Sequence, residues 1–300
     1  MAPDECHNFV TIQPAHLVRQ AKLRYAAGFK NNMETSMNTT TDAPLVVRQD
    51  RPDGLTTLTL NRPNQFNSLS KDMLSALQAE LDAIAASEKV RVVIIAGAGK
   101  AFCAGHDLKE MRGNHSKAFM QALFKQCGEL MLSITRMPQP VIARVHGIAT
   151  AAGCQLVSMC DLAVAADVAR FAVSGINVGL FCSTPAVGLA RNLGRKAALE
   201  MLLTGEFIDA MEARAKGLVN RVVPADALDA EIERLASNIL GKSAVAIRMG
   251  KGMFYKQLEM GLSDAYAYAG EVMACNMMSD DAGEGIDAFM QKRKPEYKNH

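Results

Sequence analysis

Two stretches of small residues are the places where this chain can bring its backbone against a ligand: Gly99-Lys100-Ala101-Phe102-Cys103-Ala104-Gly105-His106-Asp107-Leu108-Lys109-Glu110 and His146-Gly147-Ile148-Ala149-Thr150-Ala151-Ala152-Gly153-Cys154-Gln155. Each follows an apolar, strand-like run and leads into a helical pattern. There the first N–H groups of a helix lack partners and the positive end of its dipole faces outward. Small side chains let a ligand approach the main chain, so one carbonyl oxygen can receive two N–H donors, one from each turn, and such a pair stabilises a developing oxyanion. Neither stretch has the GxxxxGK(S/T) spacing of a phosphate loop or the GxGxxG spacing of a dinucleotide turn. One such turn alone is more often a packing device; the pair carries the functional reading.

The remaining reactive side chains have plainer readings. Cys182 would need a base or cation nearby to act as a nucleophile, and none is identified, so core packing is its expected role. Glu110 and Glu129 fall on helical stretches, where a solvated face is the default. The seven cysteines of the 300-residue chain are scattered, odd in number and without a CxxC pair. That argues for thiols in a reducing compartment and against a metal cage or disulfide framework. The 33 basic and 31 acidic residues leave a formal charge of +2, too little to attract nucleic acid. The best apolar stretch, Val92 to Ala98, is strand-sized and far short of the roughly 18 residues that cross a membrane.

The elements that must position the two turns follow from periodicity. A short strand from Leu45 and a second at Leu55 to Leu60, ending in the turn Asn61-Arg62-Pro63-Asn64, predict a hairpin. Ser70 is a plausible N-cap for a helix with apolar positions Met73, Leu74, Leu77, Leu81 and Ile84. A strand at Val90 to Ile95 follows. The order then returns: a helix ending near Met137, a strand at Val141 to Val145, a helix from about Ala151 and a strand at Leu162 to Ala165, which implies repeated ββα units. After Val223-Pro224 only helical stretches remain, around Ala225 to Leu240, Ser243 to Lys256, Leu262 to Met278 and Asp281 to Met290. Residues 1–43, basic and then polar, read as an extension: a targeting segment, a flexible tail, or a stretch upstream of a start at Met33 or Met37.

Several of these motifs in order, Leu60-Asn61-Arg62-Pro63, Ala101 through Glu110, Ala152-Gly153-Cys154-Gln155-Leu156 with Cys160-Asp161, and Glu284-Gly285-Ile286-Asp287-Ala288-Phe289 with Lys292-Arg293-Lys294-Pro295, resemble the enoyl-CoA hydratase/isomerase (crotonase) superfamily across residues 44–298. The resemblance implies an α/β crotonase-like spiral of ββα repeats over 44–224 and a helical C-terminal oligomerisation region over 225–300. It implies an acyl-CoA thioester as substrate, with coenzyme A carried by that substrate, no separate cofactor and no metal. It also implies fatty acid metabolism, a homotrimer or dimer of trimers, and a mitochondrial matrix or bacterial cytoplasm, without secretion.

By the same resemblance the oxyanion hole is the backbone N–H of His106 and of Ala152. The coenzyme A lies across Arg62-Pro63 and the Ala104-Gly105 backbone, with Asp107 at the start of the following short helix. Phe289 and Lys292 reach the nucleotide, often from a neighbouring subunit. The departures matter as much. Hydratases of the family use two glutamates as base and acid, and here those positions hold Gln155 and Gly175, while Asn64 stands where many relatives place a lysine. Ordinary hydration therefore lacks its acid and its base. Decarboxylation of a malonyl-type thioester needs oxyanion stabilisation but no base, and the Gly105-His106-Asp107 sequence resembles members that do this. Thioester hydrolysis is the other mechanistic alternative, and acyl-CoA binding without turnover is the second reading of a chain with this pattern. His106 could also point at solvent or at the pantetheine arm.

Overall fold

The computed structural model describes residues 43–299. The expected extension lies outside them but for Ala43. The expected hairpin is present as β1 (Val46–Asp50) and β2 (Leu55–Leu60), antiparallel with Val46 opposite Leu60. Ser70 caps α1 (Lys71–Ala85), its hydroxyl accepting from the Met73 N–H at 3.2 Å. All five apolar positions read from the sequence are buried, each stabilising by about 1.5–3 kcal/mol, and this stripe fastens α1 to the core.

A pair of strands and one or more helices then recur: β3 (Val92–Gly97), β4 (Ala101–Cys103), α2 (Leu108–Gly113) and α3 (Lys117–Arg136); β5 (Val141–Val145), β6 (Ile148–Thr150) and α4 (Ala152–Met159); β7 (Leu162–Ala166), β8 (Arg170–Ala172), α5 (Ser183–Asn192) and α6 (Arg195–Thr204). The first strand of each pair enters one sheet and the second another. With β9 (Ile208–Asp209) and β10 (Arg221–Val223), which flank α7 (Ala210–Ala215), the sheets run β1-β2-β3-β5-β7-β10 and β4-β6-β8-β9. The larger sheet is covered on both faces, one by the main core and the other by α8 (Leu228–Leu240), whose Leu228, Ile232 and Ala236 pack on Val92, Ile94, Ile142 and Val164. That double burial is why its central strands are continuously apolar.

Two expectations shift. The strand read from Val90 starts at Val92, because the Arg91 and Val92 N–H groups both bind the Gly54 carbonyl in a turn. The two small-residue turns also contain strands of their own, β4 and β6, paired in parallel from Ala101 opposite Ile148; three residues are too few for an alternating pattern to register. Beyond Pro224 the chain is helical as read: α8, α9 (Ala244–Gln257), α10 (Leu262–Met277) and α11 (Asp280–Met290). No helix among the described residues is long and apolar enough to cross a membrane.

Candidate active site

Parallel pairing of β4 with β6 brings the two turns side by side. Past β4, the Leu69 N–H donates to the Gly105 carbonyl at 2.7 Å and the Asp107 N–H to the Leu69 carbonyl at 3.3 Å, a single bridge of the parallel type. In such a bridge the middle residue turns its own peptide groups the other way. The His106 N–H therefore faces away from Leu69, and it has no acceptor among the described residues.

The second turn ends at Ala151, held with φ 50° and ψ −121°, a left-handed conformation that costs a residue with a Cβ about 1–3 kcal/mol. The Ala151 N–H is anchored on the Ala172 carbonyl at 3.0 Å, and the strained bend sends the chain into α4. Ala152 is the first residue of α4, so its N–H is one of the four a helix cannot satisfy internally.

Two glycines allow the turns to touch. A Cβ on Gly105, whose φ is +89°, would stand 2.8 Å from the Ala151 Cβ and 3.1 Å from the Ala152 nitrogen. A Cβ on Gly153 would overlap the Cys103 carbonyl oxygen. The surroundings are apolar, and burial pushes the Cys103 and Cys154 thiols up to about 12. Donors aimed into such a low-dielectric place act strongly on a developing negative charge.

The side chains that flank the donors are neutral. The His106 ring turns inward, not to solvent: its Nδ1 lies 3.3 Å from the Leu69 carbonyl, and the ring meets Phe124 edge-on at 5.6 Å. A carbonyl can only accept, so Nδ1 carries the proton. Burial holds the ring below its ordinary value of 6.5, which leaves Nε2 an unprotonated acceptor, buried and without a partner. Gln155, on the first turn of α4, is 4% exposed, and its Oε1 likewise has no partner.

At Gly175 the chain has closed over the space a side chain would use. Gly175 lies in the 3-10 turn Ser174–Val178, and a Cβ there would stand 2.6 Å from the Leu180 carbonyl oxygen and 2.7 Å from the Cys182 sulfur. Cys182 is 6% exposed and burial raises its thiol above the ordinary value, which fits the expected packing role. Glu110 is not simply a solvated acid: its carboxylate accepts from the Lys71 N–H at 3.1 Å at the start of α1.

Of the residues implied for coenzyme A, Arg62 and Asp107 come together as an ion pair at 3.1 Å, Asp107 lying two residues beyond Gly105. Asp107 caps α2 by accepting from the Lys109 and Glu110 N–H groups. Burial pushes its carboxyl up, but those N–H groups and the Arg62 guanidinium outweigh it and hold the carboxyl below the usual range. Phe289 and Lys292 are not brought to this place within one chain: α11 packs on α9 and α10, and Phe289 is 85% exposed.

A buried cluster that pins α9 to the core left no trace in the sequence pattern. Lys251 donates to Asp161 at 2.6 Å and to the carbonyls of Ile134 and Gln139, while the Tyr255 hydroxyl and the Val141 N–H also donate to Asp161. Asp161 belongs to the quoted Cys160-Asp161 motif, but its partners Lys251, Tyr255 and Val141 are far from it in sequence and carry no spacing signal.

Comparison with known proteins identifies relatives over most of the chain. Residues 50–300 match the enoyl-CoA hydratase/isomerase family. The chain is 46% identical over 243 residues to the human protein named enoyl-CoA hydratase domain-containing protein 3, mitochondrial, covering 81% of this chain and 80% of the human one; the rat protein of that name is 43% identical over 282 residues, 94% of each chain. The crystal structure of a Mycobacterium smegmatis enoyl-CoA hydratase superposes with a TM-score of 0.84 at 59% identity, covering 85% of this chain and 99% of that one. On these matches the chain belongs to the enoyl-CoA hydratase/isomerase family and has the crotonase fold.

Proposed function

We propose that this protein is an acyl-CoA-processing enzyme that takes the thioester carbonyl of its substrate between the N–H groups of His106 and Ala152 and stabilises the enolate or oxyanion that forms there. The observation that supports the reading is that Gly105, the residue before His106, packs against the Ala152 nitrogen while neither the His106 nor the Ala152 N–H has an acceptor among the described residues. As charge moves onto the carbonyl oxygen these fixed donors strengthen, and one such donor is typically worth about a hundredfold in rate. The coenzyme A lies over Arg62, Ala104, Gly105 and Asp107, and no other cofactor or metal takes part.

Water addition by a glutamate pair is not the reaction. Gln155 does not titrate, and the space beside Gly175 is filled by Leu180 and Cys182. The chemistry left to the site is the kind that needs an oxyanion hole and no side-chain base, such as loss of carbon dioxide from a malonyl-type thioester, whose breaking C–C bond leaves the enolate; thioester hydrolysis would also need a water to attack the carbonyl and a group to take its proton, and binding without turnover is the second reading, favoured by the same closure. Leu262, Tyr266, Met273, Met278, Phe289 and Met290, on and beside the C-terminal helices, are exposed apolar side chains, which supports burial between subunits of a homotrimer or a dimer of trimers. In that assembly Phe289 and Lys292 reach a neighbour's nucleotide site. A role in fatty acid metabolism, and a place in a mitochondrial matrix or a bacterial cytoplasm, belong to the same proposal; the human relative is named as mitochondrial.

The test is a mass-spectrometric turnover screen against crotonyl-CoA, methylmalonyl-CoA and a saturated acyl-CoA, with calorimetry in parallel. Loss of carbon dioxide or release of free coenzyme A supports an enzyme, binding without product supports the second reading, and hydration of crotonyl-CoA overturns the argument from Gln155 and Gly175.

A further inference from the structure

The strained bend at Ala151 has no local support: α4 begins there without a side-chain cap, and a left-handed conformation at a residue with a Cβ persists only where its surroundings hold it. Those surroundings come from the next repeat. β6 pairs in parallel with β8 up to Thr150 opposite Ala172, and the Ala172 carbonyl accepts from the Ala151 N–H at 3.0 Å. Where the chain leaves β8 for the 3-10 turn Ser174–Val178, side chains extend this ladder: the hydroxyls of Thr150 and Ser174 lie 2.8 Å apart, one donating to the other. Residues 150 and 151 are thus both tied to one short segment, immediately before the Ala152 N–H. On its other side the Thr150 carbonyl oxygen stands 3.0 Å from the place of a Cβ on Gly105, so a shift of Thr150 changes the spacing of the two turns. The backbone bonds of the ladder need no particular side chain; the hydroxyl bond needs these two.

We propose that Thr150 and Ser174 form a positioning pair, whose hydroxyl–hydroxyl bond holds the Ala151 bend and so keeps the Ala152 N–H aimed at the thioester oxygen. The inference rests on the acyl-CoA reading above. In this role each hydroxyl acts through the peptide between Ala151 and Ala152, not by touching the substrate. A hydrogen bond weakens steeply once its angle falls below about 120°, so a modest rotation of that peptide is enough to lose the donor. Without the hydroxyl bond the strained bend is free to relax and to make that rotation.

Infrared difference spectra of saturating butyryl-CoA, isotope-labelled at the thioester carbonyl and bound to the intact protein, test this. Two donors move the wild-type carbonyl stretch to lower wavenumber. Thr150→Val, which keeps the shape and removes the hydroxyl, and Ser174→Ala are each expected to lose about half of that shift, as loss of one of two similar donors requires. The double variant is expected to lose no more than either single one, because both remove the same bond, and Thr150→Ser is expected to keep the wild-type shift. A full shift in either single variant, with or without a lower melting temperature, marks a bond that serves stability alone and overturns the proposal. Losses that add in the double variant, or a Thr150→Ser that behaves like Thr150→Val, also overturn it, and in all these cases the acyl-CoA reading stands. A wild type that binds no butyryl-CoA, or binds it without a shift, overturns that reading and this one with it. Ser174→Ala decides alone if Thr150→Val fails to fold.

Discussion

Gly105 and Ala152 belong to different ββα repeats, yet a Cβ on the first would lie 3.1 Å from the backbone nitrogen of the second. This contact holds the two turns together, and with them the two N–H groups of the proposed oxyanion hole. Gly105 also has φ +89°, so a side chain there is strained as well as crowded. Gly105→Ala is expected to fold with reduced stability and to lose the oxyanion hole. The check is infrared spectroscopy of a bound acyl-CoA: the wild type moves the thioester carbonyl stretch to lower wavenumber, and the variant leaves it at its solution value.

Restoring the hydratase pattern by Gln155→Glu together with Gly175→Glu is expected to fail. A side chain at position 175 meets the Leu180 carbonyl and the Cys182 sulfur below 3 Å, and overpacking of this kind costs about 1–3 kcal/mol. Gly175→Ala alone should already lower the melting temperature. Crotonyl-CoA hydration by the double variant would show that the segment yields easily and that the space beside Gly175 is not closed.

The buried histidines make stability depend on pH. His106 and His146 are both held below the ordinary 6.5 by burial. Between their folded values and 6.5 the unfolded chain binds more protons than the folded one, so stability is full above this window and falls as pH drops through it. Each ring contributes a slope of at most about 1.4 kcal/mol per pH unit. Urea midpoints measured between neutral and mildly acidic pH should fall with acidification, and less steeply in His106→Phe. An unchanged slope in that variant would mean that the ring charges freely in the folded state.

Lys251 and Asp161 tie the C-terminal helices to the core. Lys251 is nearly inaccessible, its side chain 7% exposed, and burial lowers its affinity for a proton despite the carboxylate beside it. Removing one partner strands the other charge, which typically costs about 3–5 kcal/mol. Lys251→Met should therefore destabilise strongly in urea, far more than a substitution at the exposed Lys256, and a small effect would mean that Asp161 is satisfied by Tyr255 and Val141 alone.

Much of this protein was legible without coordinates. The stripe Met73, Leu74, Leu77, Leu81 and Ile84 specified α1, Ser70 its start, and the apolar run before Gly97 a strand buried on both faces, because period and caps are local properties of a chain. The family motifs named both turns and both missing glutamates. What the sequence determined by itself was which residues are available: two glycines that permit close approach, an amide and a glycine in place of two acids, and an imidazole beside one donor. Only the tertiary structure decided what they do, since each answer depends on a neighbour from another repeat. Parallel pairing of β4 with β6 set Gly105 against Ala152, the bridge to Leu69 turned the His106 N–H one way and its ring inward, and Cys182 closed the space at Gly175. No local pattern encodes contacts made across repeats, and hydrogen-bond satisfaction, which leaves Gln155 unpaired, can be counted only once every neighbour is in place.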